Sequence, residues 1–584
     1  MKKIEKIEIL RHSTAHVLAA AVLGMFPEAK FGMGPAVENG FYYDFDLPRT
    51  LIPEDLEILE NKMKEIIKAN IKFEQADASI EEAENDFKEL GQSYKVELIR
   101  DLKEEGHKKV CIYRAGIFVD LCSGPHLDYT GEIPADAFKL TRISGAYWKS
   151  DEKNKQLQRI YGVAFESKKD LDEYLRSMED AKERDHRKIG KELKLFHIDE
   201  NVGKGLPLWM PKGAAIRQVL QRFIEDEETK RGYLRTYTPV IGNVKLYKIS
   251  GHWDHYKNDM YPPIKIDDEE YILRPMTCPH QFMIYKAEQH SYRELPLRYA
   301  ELAEMYRKEK SGELSGLMRV MGFTLNDAHI FCTPEQLEKE FLDVLDLIQF
   351  SLKALGINKE VSFRASLRDK EKSKYLNNDK LWDESEKILT DILDKAGIKY
   401  EVGVGEAAFY GPKADIQIKN VLGKEETIIT MQIDLNSAER FDLFYIDQSG
   451  KKQRPVIIHR SAIGCIERTM AFLIEHYAGA FPVWLSSVQV IIIPVSEKFN
   501  EYGEKIFEEL KNKDIRAEID KSSESLGKRI REAEKQKIPY ILVVGEKEEK
   551  AESVAVRMRE NKKQEVMKIK EFIEKIEKEI KEKI

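Results

Sequence analysis

Tyr306-Arg307-Lys308-Glu309, followed after a polar stretch by Leu317-Met318-Arg319-Val320-Met321-Gly322-Phe323-Thr324-Leu325-Asn326-Asp327-Ala328-His329, is the segment on which the reading of this chain turns. It reads as strand, polar loop and strand. On the second strand a two-residue period puts Arg319, Met321, Phe323, Leu325, Asp327 and His329 on one face. That face carries a cation, an aromatic ring, a carboxylate and an imidazole able to bind metal. A purely structural strand buries apolar side chains there, because an unpaired buried charge is expensive. The face is expected to form the floor of an active site.

Working outward, the odd positions of Leu302 to Glu309 align Ala303, Met305, Arg307 and Glu309. The even positions of Thr430-Met431-Gln432-Ile433-Asp434 are polar, and Val456-Ile457-Ile458-His459 ends another strand. Gly464 and Arg468 are spaced one helical turn apart on the helix that follows. From Phe196 to about Pro482, long helices alternate with antiparallel-looking strands. Before this block lies a mixed helix-and-strand region (1–166) and a charged segment, 167–195, read as a connecting helix. After it, from Val488, strands and helices alternate as in an α/β domain. The tail from Lys568 is expected to be a solvated surface helix. The expected fold is therefore α+β and multidomain, with divisions at 1–166, 167–195, 196–485 and 486–584.

The 584 residues are 42% hydrophobic and 34% charged, enough for several well-cored domains. There is no apolar run long enough to span a bilayer and no signal-peptide core at the start, so no membrane role is expected. Five scattered cysteines argue against a disulfide scaffold and for a reducing cytoplasm. The net charge of −8 excludes a generic polyanion-coating protein, so any nucleic-acid contact relies on local basic surfaces.

Arg307-x-Glu309 in a strand–loop–strand, with Gly464 and Glu467-Arg468 opening a helix, resembles motifs 2 and 3 of the class II aminoacyl-tRNA synthetases. Gly232 to Pro239 and Ser250 to His255 are similar to their motif 1 region, which builds a dimer interface. The resemblance implies an antiparallel-sheet catalytic core, an N-terminal α+β editing domain, a C-terminal α/β anticodon-binding domain and a homodimer. It implies that Arg307 holds the α-phosphate of ATP and Arg468 the γ-phosphate, with Mg²⁺ assisting. Glu309, Arg319, Phe323 and Lys413 lie near the nucleotide on the same ground. Two fixed guanidiniums suit a reaction in which negative charge grows as a carboxylate attacks phosphorus. Cys278, His329 and His459 narrow the resemblance to the threonyl enzymes of class IIa. One thiol and two imidazoles with an open position form a zinc set that can bind substrate. L-threonine offers an amine and a β-hydroxyl to such an ion, and valine lacks the hydroxyl. Asp327 is expected to hold the substrate ammonium, with Tyr410 and Gln432 completing the pocket by resemblance. Four positions depart from the family pattern: Thr277 before the zinc cysteine, His280 and Gln281 after Cys-Pro, and Leu325 where glutamine is common.

Serine satisfies zinc as threonine does and differs by one methyl, about 1–3 kcal/mol of discrimination, so a second, hydrolytic site is expected. His12-Ser13-Thr14-Ala15-His16 sets two imidazoles at i and i+4, and Asp120-Leu121-Cys122-Ser123-Gly124-Pro125-His126 adds a thiol and a third imidazole. Spacing alone reads as a four-ligand zinc site. The resemblance implies instead a metal-free cleft that hydrolyses Ser-tRNA(Thr), with Lys95 and Asp120 as further members. It also implies that a small ubiquitin-like domain common in the family is missing ahead of the His12 helix. At the C-terminus Glu548 and Arg557 match positions that read anticodon bases of tRNA(Thr), and Ser523 replaces a frequent asparagine. A serine or proline ligase and a non-catalytic tRNA-binding paralogue are the alternatives. The zinc set argues against the first and the retained arginines against the second.

Overall fold

The computed structural model describes residues 5–371, 375, 378–421, 423–434, 436–561 and 564–583. They belong to two compact units, Met1–Glu179 and Asp180–Ile584.

In the first unit, helix Lys6–Met25 is apolar on every side from Val17 to Leu23, and such a stretch has to be buried. It packs on strand Gly40–Asp46 and helix Pro53–Lys68. The strand belongs to an antiparallel sheet that continues through Gln156–Ala164 to Phe138–Tyr147. Phe41, Tyr43 and Phe45 share its inward face and are fully buried, and a buried phenylalanine contributes about 1.5–3 kcal/mol. A second sheet, Phe73–Ser79, Lys109–Ala115 and Phe118–Leu121, ends in the loop that carries Cys122 and His126.

The second unit is built on an eight-stranded sheet. Its order is Leu234–Arg235, Leu297–Tyr306, Gly322–Cys332, Val456–Arg460, Glu425–Asp434, Lys413–Lys419, Val361–Leu367 and Tyr400–Val404. The inner strands are antiparallel as expected, and only the two edge pairings are parallel. Helices Pro211–Lys230, Leu337–Ala354 and Ile466–His476 supply the apolar cover on one side through Ile216, Leu220, Phe341, Leu347, Met470 and Phe472.

Four expectations for residues 167–485 change. The floor strand begins at Gly322, not at Arg319, because Met321 N–H bonds Gly205 O at 2.7 Å rather than joining the ladder. Its neighbour ends at Tyr306, so Arg307 and Glu309 project from the connection rather than from the strand. Gly464 lies outside the helix, which starts at Ile466. Its φ is +72°, and a Cβ there would meet Ile428 O at 2.2 Å, so only glycine fits. The connecting helix is two helices, Lys168–Arg184 and His186–Glu192, and Asp185 caps the second by accepting from Arg187 N–H at 2.7 Å.

The C-terminal sheet runs Ala517–Ile519, Val490–Pro494, Tyr540–Val544, Ser553–Met558 and Gln564–Lys568. Its last strand is an antiparallel addition absent from the sequence reading. The tail helix Ile569–Glu582 is no free surface helix. Phe572, Ile573 and Ile576 are buried in the same core as Val490, Leu542 and Val556.

Candidate active site and metal centre

The sheet of the second unit floors a cavity of about 690 Å³. Arg307 and Arg468 enter it held by main-chain carbonyls. Arg307 Nε donates to Pro275 O at 3.2 Å, and the guanidinium lies 5.2 Å over the Phe323 ring. Arg468 Nε donates to Met318 O at 3.1 Å and Nη1 to Thr427 O at 2.9 Å. Among the described residues neither has a carboxylate partner, so both keep uncompensated charge at the cavity, as an anion site needs. Arg319 differs. It is half exposed and its Nη2 lies 2.7 Å from both Glu309 and Glu313. Lys413 is held at 2.5 Å by Asp415, which also accepts from Ser366 and Thr430.

Beside the cavity His329 and His459 face each other across adjacent strands, and Cys278 opens helix Cys278–Lys286 next to them. Their donor atoms lie within 4.8 Å of one another. His329 Nδ1 is 2.6 Å from Gln281 Oε1, and His459 Nε2 is 3.0 Å from Asp434 Oδ2. The other two nitrogens, His329 Nε2 and His459 Nδ1, are buried without a hydrogen-bond partner among the described residues. A buried imidazole nitrogen left unpaired is costly unless something occupies the space before it. Burial holds His329 neutral, well below its ordinary range, and pushes the Cys278 thiol well up when no cation is present. Two imidazoles and a thiol at a helix N-terminus suit zinc, and three protein donors leave its coordination open.

Asp327 lies 4.0 Å from His329 Nε2 on the same side of the floor, and burial raises its carboxyl to about 6. Tyr410 donates to Gln432 Oε1 at 2.6 Å, and its ring is 5.3 Å from that of His459. Thus Arg307, Glu309, Arg319, Phe323, Asp327, Tyr410, Lys413, Gln432 and Arg468 all border one cavity with Cys278 and His459 of the metal group. His252 also lines it, unpredicted as a site residue. Its Nδ1 is 2.8 Å from Ser250 Oγ, and burial lowers the imidazole to about 3. Its proximity could be signalled only by the stretch read as part of the motif 1 region. Asp434 and Gln281 were likewise unassigned, since an outer partner of a ligand leaves no spacing pattern.

In the first unit the six predicted residues converge. Cys122 Sγ is 3.3 Å from both His12 Nε2 and His126 Nε2. His16 Nε2 is 3.3 Å from Asp120 Oδ2, which accepts from Tyr43 at 2.6 Å, while Lys95 pairs with Oδ1 of the same carboxylate. Burial holds the His12, His16 and His126 imidazoles below their ordinary range and pushes the Cys122 thiol up to about 12. The ligand-type atoms of His12, His16, Cys122 and His126 also lie within 4.8 Å of one another. At the C-terminus the two predicted readers are engaged locally. Glu548 Oε2 accepts from Gly545 N–H at 3.0 Å, and Arg557 pairs with Glu534 at 2.9 Å.

Residues 257–477 match the model of the tRNA synthetase class II core domain (G, H, P, S and T), and 489–579 match an anticodon binding domain. Residues 110–161 match the threonyl and alanyl tRNA synthetase second additional domain. A threonine–tRNA ligase of a Geobacillus species is 52% identical, covering 93% of this chain and 84% of the relative. Threonine–tRNA ligase 1 of Bacillus subtilis is 50% identical with the same coverage. A solved structure described as the RNA binding domain of threonyl-tRNA synthetase from Cryptosporidium parvum superposes with a TM-score of 0.64 at 37% identity. It spans 68% of this chain and 98% of that one.

Proposed function

This chain belongs to the threonine–tRNA ligase family, and on that footing we propose that it selects L-threonine with a zinc ion on Cys278, His329 and His459. Its class II core and anticodon-binding domain make ATP and tRNA its partners. The observation that carries the metal assignment is the pair of buried imidazole nitrogens beside a thiol that have no hydrogen-bond partner among the described residues. When bound, zinc supplies a Lewis-acidic centre that the amine and β-hydroxyl of threonine can both ligate and that valine can satisfy only in part. Asp327 takes an N–H of the substrate amine, and Tyr410 and Gln432 close the pocket around it. Arg307 neutralises the α-phosphate while the threonine carboxylate attacks it, and Arg468 holds the γ-phosphate of ATP, which carries Mg²⁺. Arg319 and Lys413 add positive charge at the nucleotide, and Glu309 and Phe323 complete its site.

Serine meets the same zinc, so the cleft of His12, His16, Lys95, Asp120, Cys122 and His126 serves as the hydrolytic editing site for Ser-tRNA(Thr). Neutral imidazoles there can take a proton from an attacking water, and Asp120 orients His16. The domain divisions are those of the sequence reading, with 1–166 as the editing domain and 486–584 as the anticodon-binding domain. Glu548 and Arg557 would have to leave their local partners to meet tRNA(Thr). A homodimer through the Gly232–Pro239 region is supported by Tyr237, 84% exposed, and Leu234, 52% exposed, which a second copy would cover. Among the described residues no helix is long and apolar enough to cross a membrane, and a cytoplasmic location is part of the proposal.

Metal analysis of the purified protein tests the central assignment. One zinc per chain is expected, removed by a chelator together with threonine-dependent pyrophosphate exchange and restored with it by added zinc. A protein that stays fully active after complete zinc removal contradicts the reading. For the editing cleft, His126→Ala is expected to slow Ser-tRNA(Thr) deacylation by about 10²-fold or more, the scale of a lost general base. It should leave both the zinc content and threonine activation unchanged.

A further inference from the structure

The two imidazoles of the metal group are oriented by chemically different partners. His459 meets the carboxylate of Asp434, itself held at 2.8 Å by the N–H groups of Asn436 and Ser437. A carboxylate can only accept, so His459 Nε2 carries the proton and Nδ1 is the lone-pair nitrogen. His329 meets no carboxylate on its Nδ1. It meets Gln281, whose amide can present either an acceptor or a donor depending on how it is turned.

The turn of that amide is tied to Thr236. Gln281 Nε2 donates to Thr236 Oγ1 at 2.8 Å, which directs Oε1 to His329 Nδ1 at 2.6 Å. Gln281 is fully buried and Thr236 nearly so, and Thr236 N–H bonds Ala300 O at 3.0 Å, fixing the hydroxyl's position at the sheet edge. With a methyl in place of that hydroxyl, the amide would lose the partner that anchors it and would be free to turn. Turned with its NH₂ onto His329 Nδ1, it would place the ring proton on Nε2, the nitrogen that must bear the lone pair.

We infer that Thr236 and Gln281 are positioning residues of the metal centre, holding His329 as the Nδ1–H tautomer so that Nε2 is free to bind zinc. The inference rests on the zinc reading above. Hydrogen-bond partners behind a ligating histidine set both its ring orientation and its basicity. Here the neutral amide and the carboxylate of Asp434 give the two imidazoles unequal support.

Competition for Zn²⁺ between the purified protein and a chromophoric chelator reads this directly, with thermal unfolding of the metal-free forms alongside. Gln281→Leu and Thr236→Val are each expected to weaken zinc binding by about 10–100-fold. Thr236→Ser, which keeps the hydroxyl, and Gln281→Glu, which keeps an acceptor, are expected to bind at least as tightly as the parent or within a few-fold of it. A merely structural role would lower the metal-free melting temperature of the first two variants while leaving zinc affinity at the parent value, and that result overturns the inference. A parent protein that takes up no zinc overturns the zinc reading as well, so the two failures are distinguishable.

Discussion

Arg307→Lys is expected to lower kcat for threonine-dependent pyrophosphate exchange by about 10²–10³-fold, the loss that follows removal of one fixed donor to developing charge. The charge itself survives the substitution, so the effect isolates geometry. Arg307 is fixed at Nε by Pro275 O and lies over Phe323, leaving its terminal nitrogens to the cavity as a fork. Lysine has neither the Nε anchor nor the bidentate face. Because the negative charge on the phosphoryl group grows towards the transition state, the loss belongs mainly in kcat, with a smaller change in KM for ATP. Arg319→Lys is the internal comparison. That side chain is half exposed and shared between Glu309 and Glu313, and the same substitution there is expected to cost less than about tenfold. Steady-state exchange rates for the two variants check both values.

The second large effect is at the metal group. His329→Ala is expected to abolish stoichiometric zinc and to reduce threonine-dependent exchange by more than about 100-fold, beyond the range for losing only an outer partner of a ligand. His329 is fully buried on the floor strand directly opposite His459, so no solvent molecule replaces it readily in that position. The Gln281 acceptor is also left unpaired, which adds a cost of about 1–3 kcal/mol to folding. Circular dichroism on the variant, together with Ser-tRNA(Thr) deacylation by the separate first-unit cleft, shows whether the chain is folded. Exchange activity with bound zinc close to the parent values would contradict the ligand assignment.

Much of this site is legible in the sequence because its chemistry is written in rare residue types at short spacing. His12 and His16 fall on one helix face, Asp327 and His329 on one strand face, and Arg468 lies in the first turn of the helix that follows Gly464. The two guanidiniums meet Cys278 and His459 at one cavity, with His329 buried beside them. What spacing could not convey was where regular structure stops. Arg319 looked like the start of the floor strand because alternation continues through Met321, but a backbone bond to distant Gly205 ends the ladder at Gly322. The tail helix has the charge density of a solvated helix, and its buried stripe of Phe572, Ile573 and Ile576 has meaning only once the C-terminal sheet is there to meet it. Strand Gln564–Lys568 is too polar to stand out and exists through pairing with Ser553–Met558. Gln281 and Asp434 act through another side chain, so a departure after Cys-Pro and a polar strand position carry no sign of their role.

The central claim is that the cavity chooses its amino acid by what can ligate a metal beside Asp327. Pyrophosphate exchange into ATP, run in parallel with threonine, serine, valine and proline on the zinc-loaded protein, tests it most directly. Strong exchange with threonine, weaker exchange with serine and none above background with valine or proline is the predicted result. Valine exchange comparable to threonine, in protein verified to hold zinc, would contradict it.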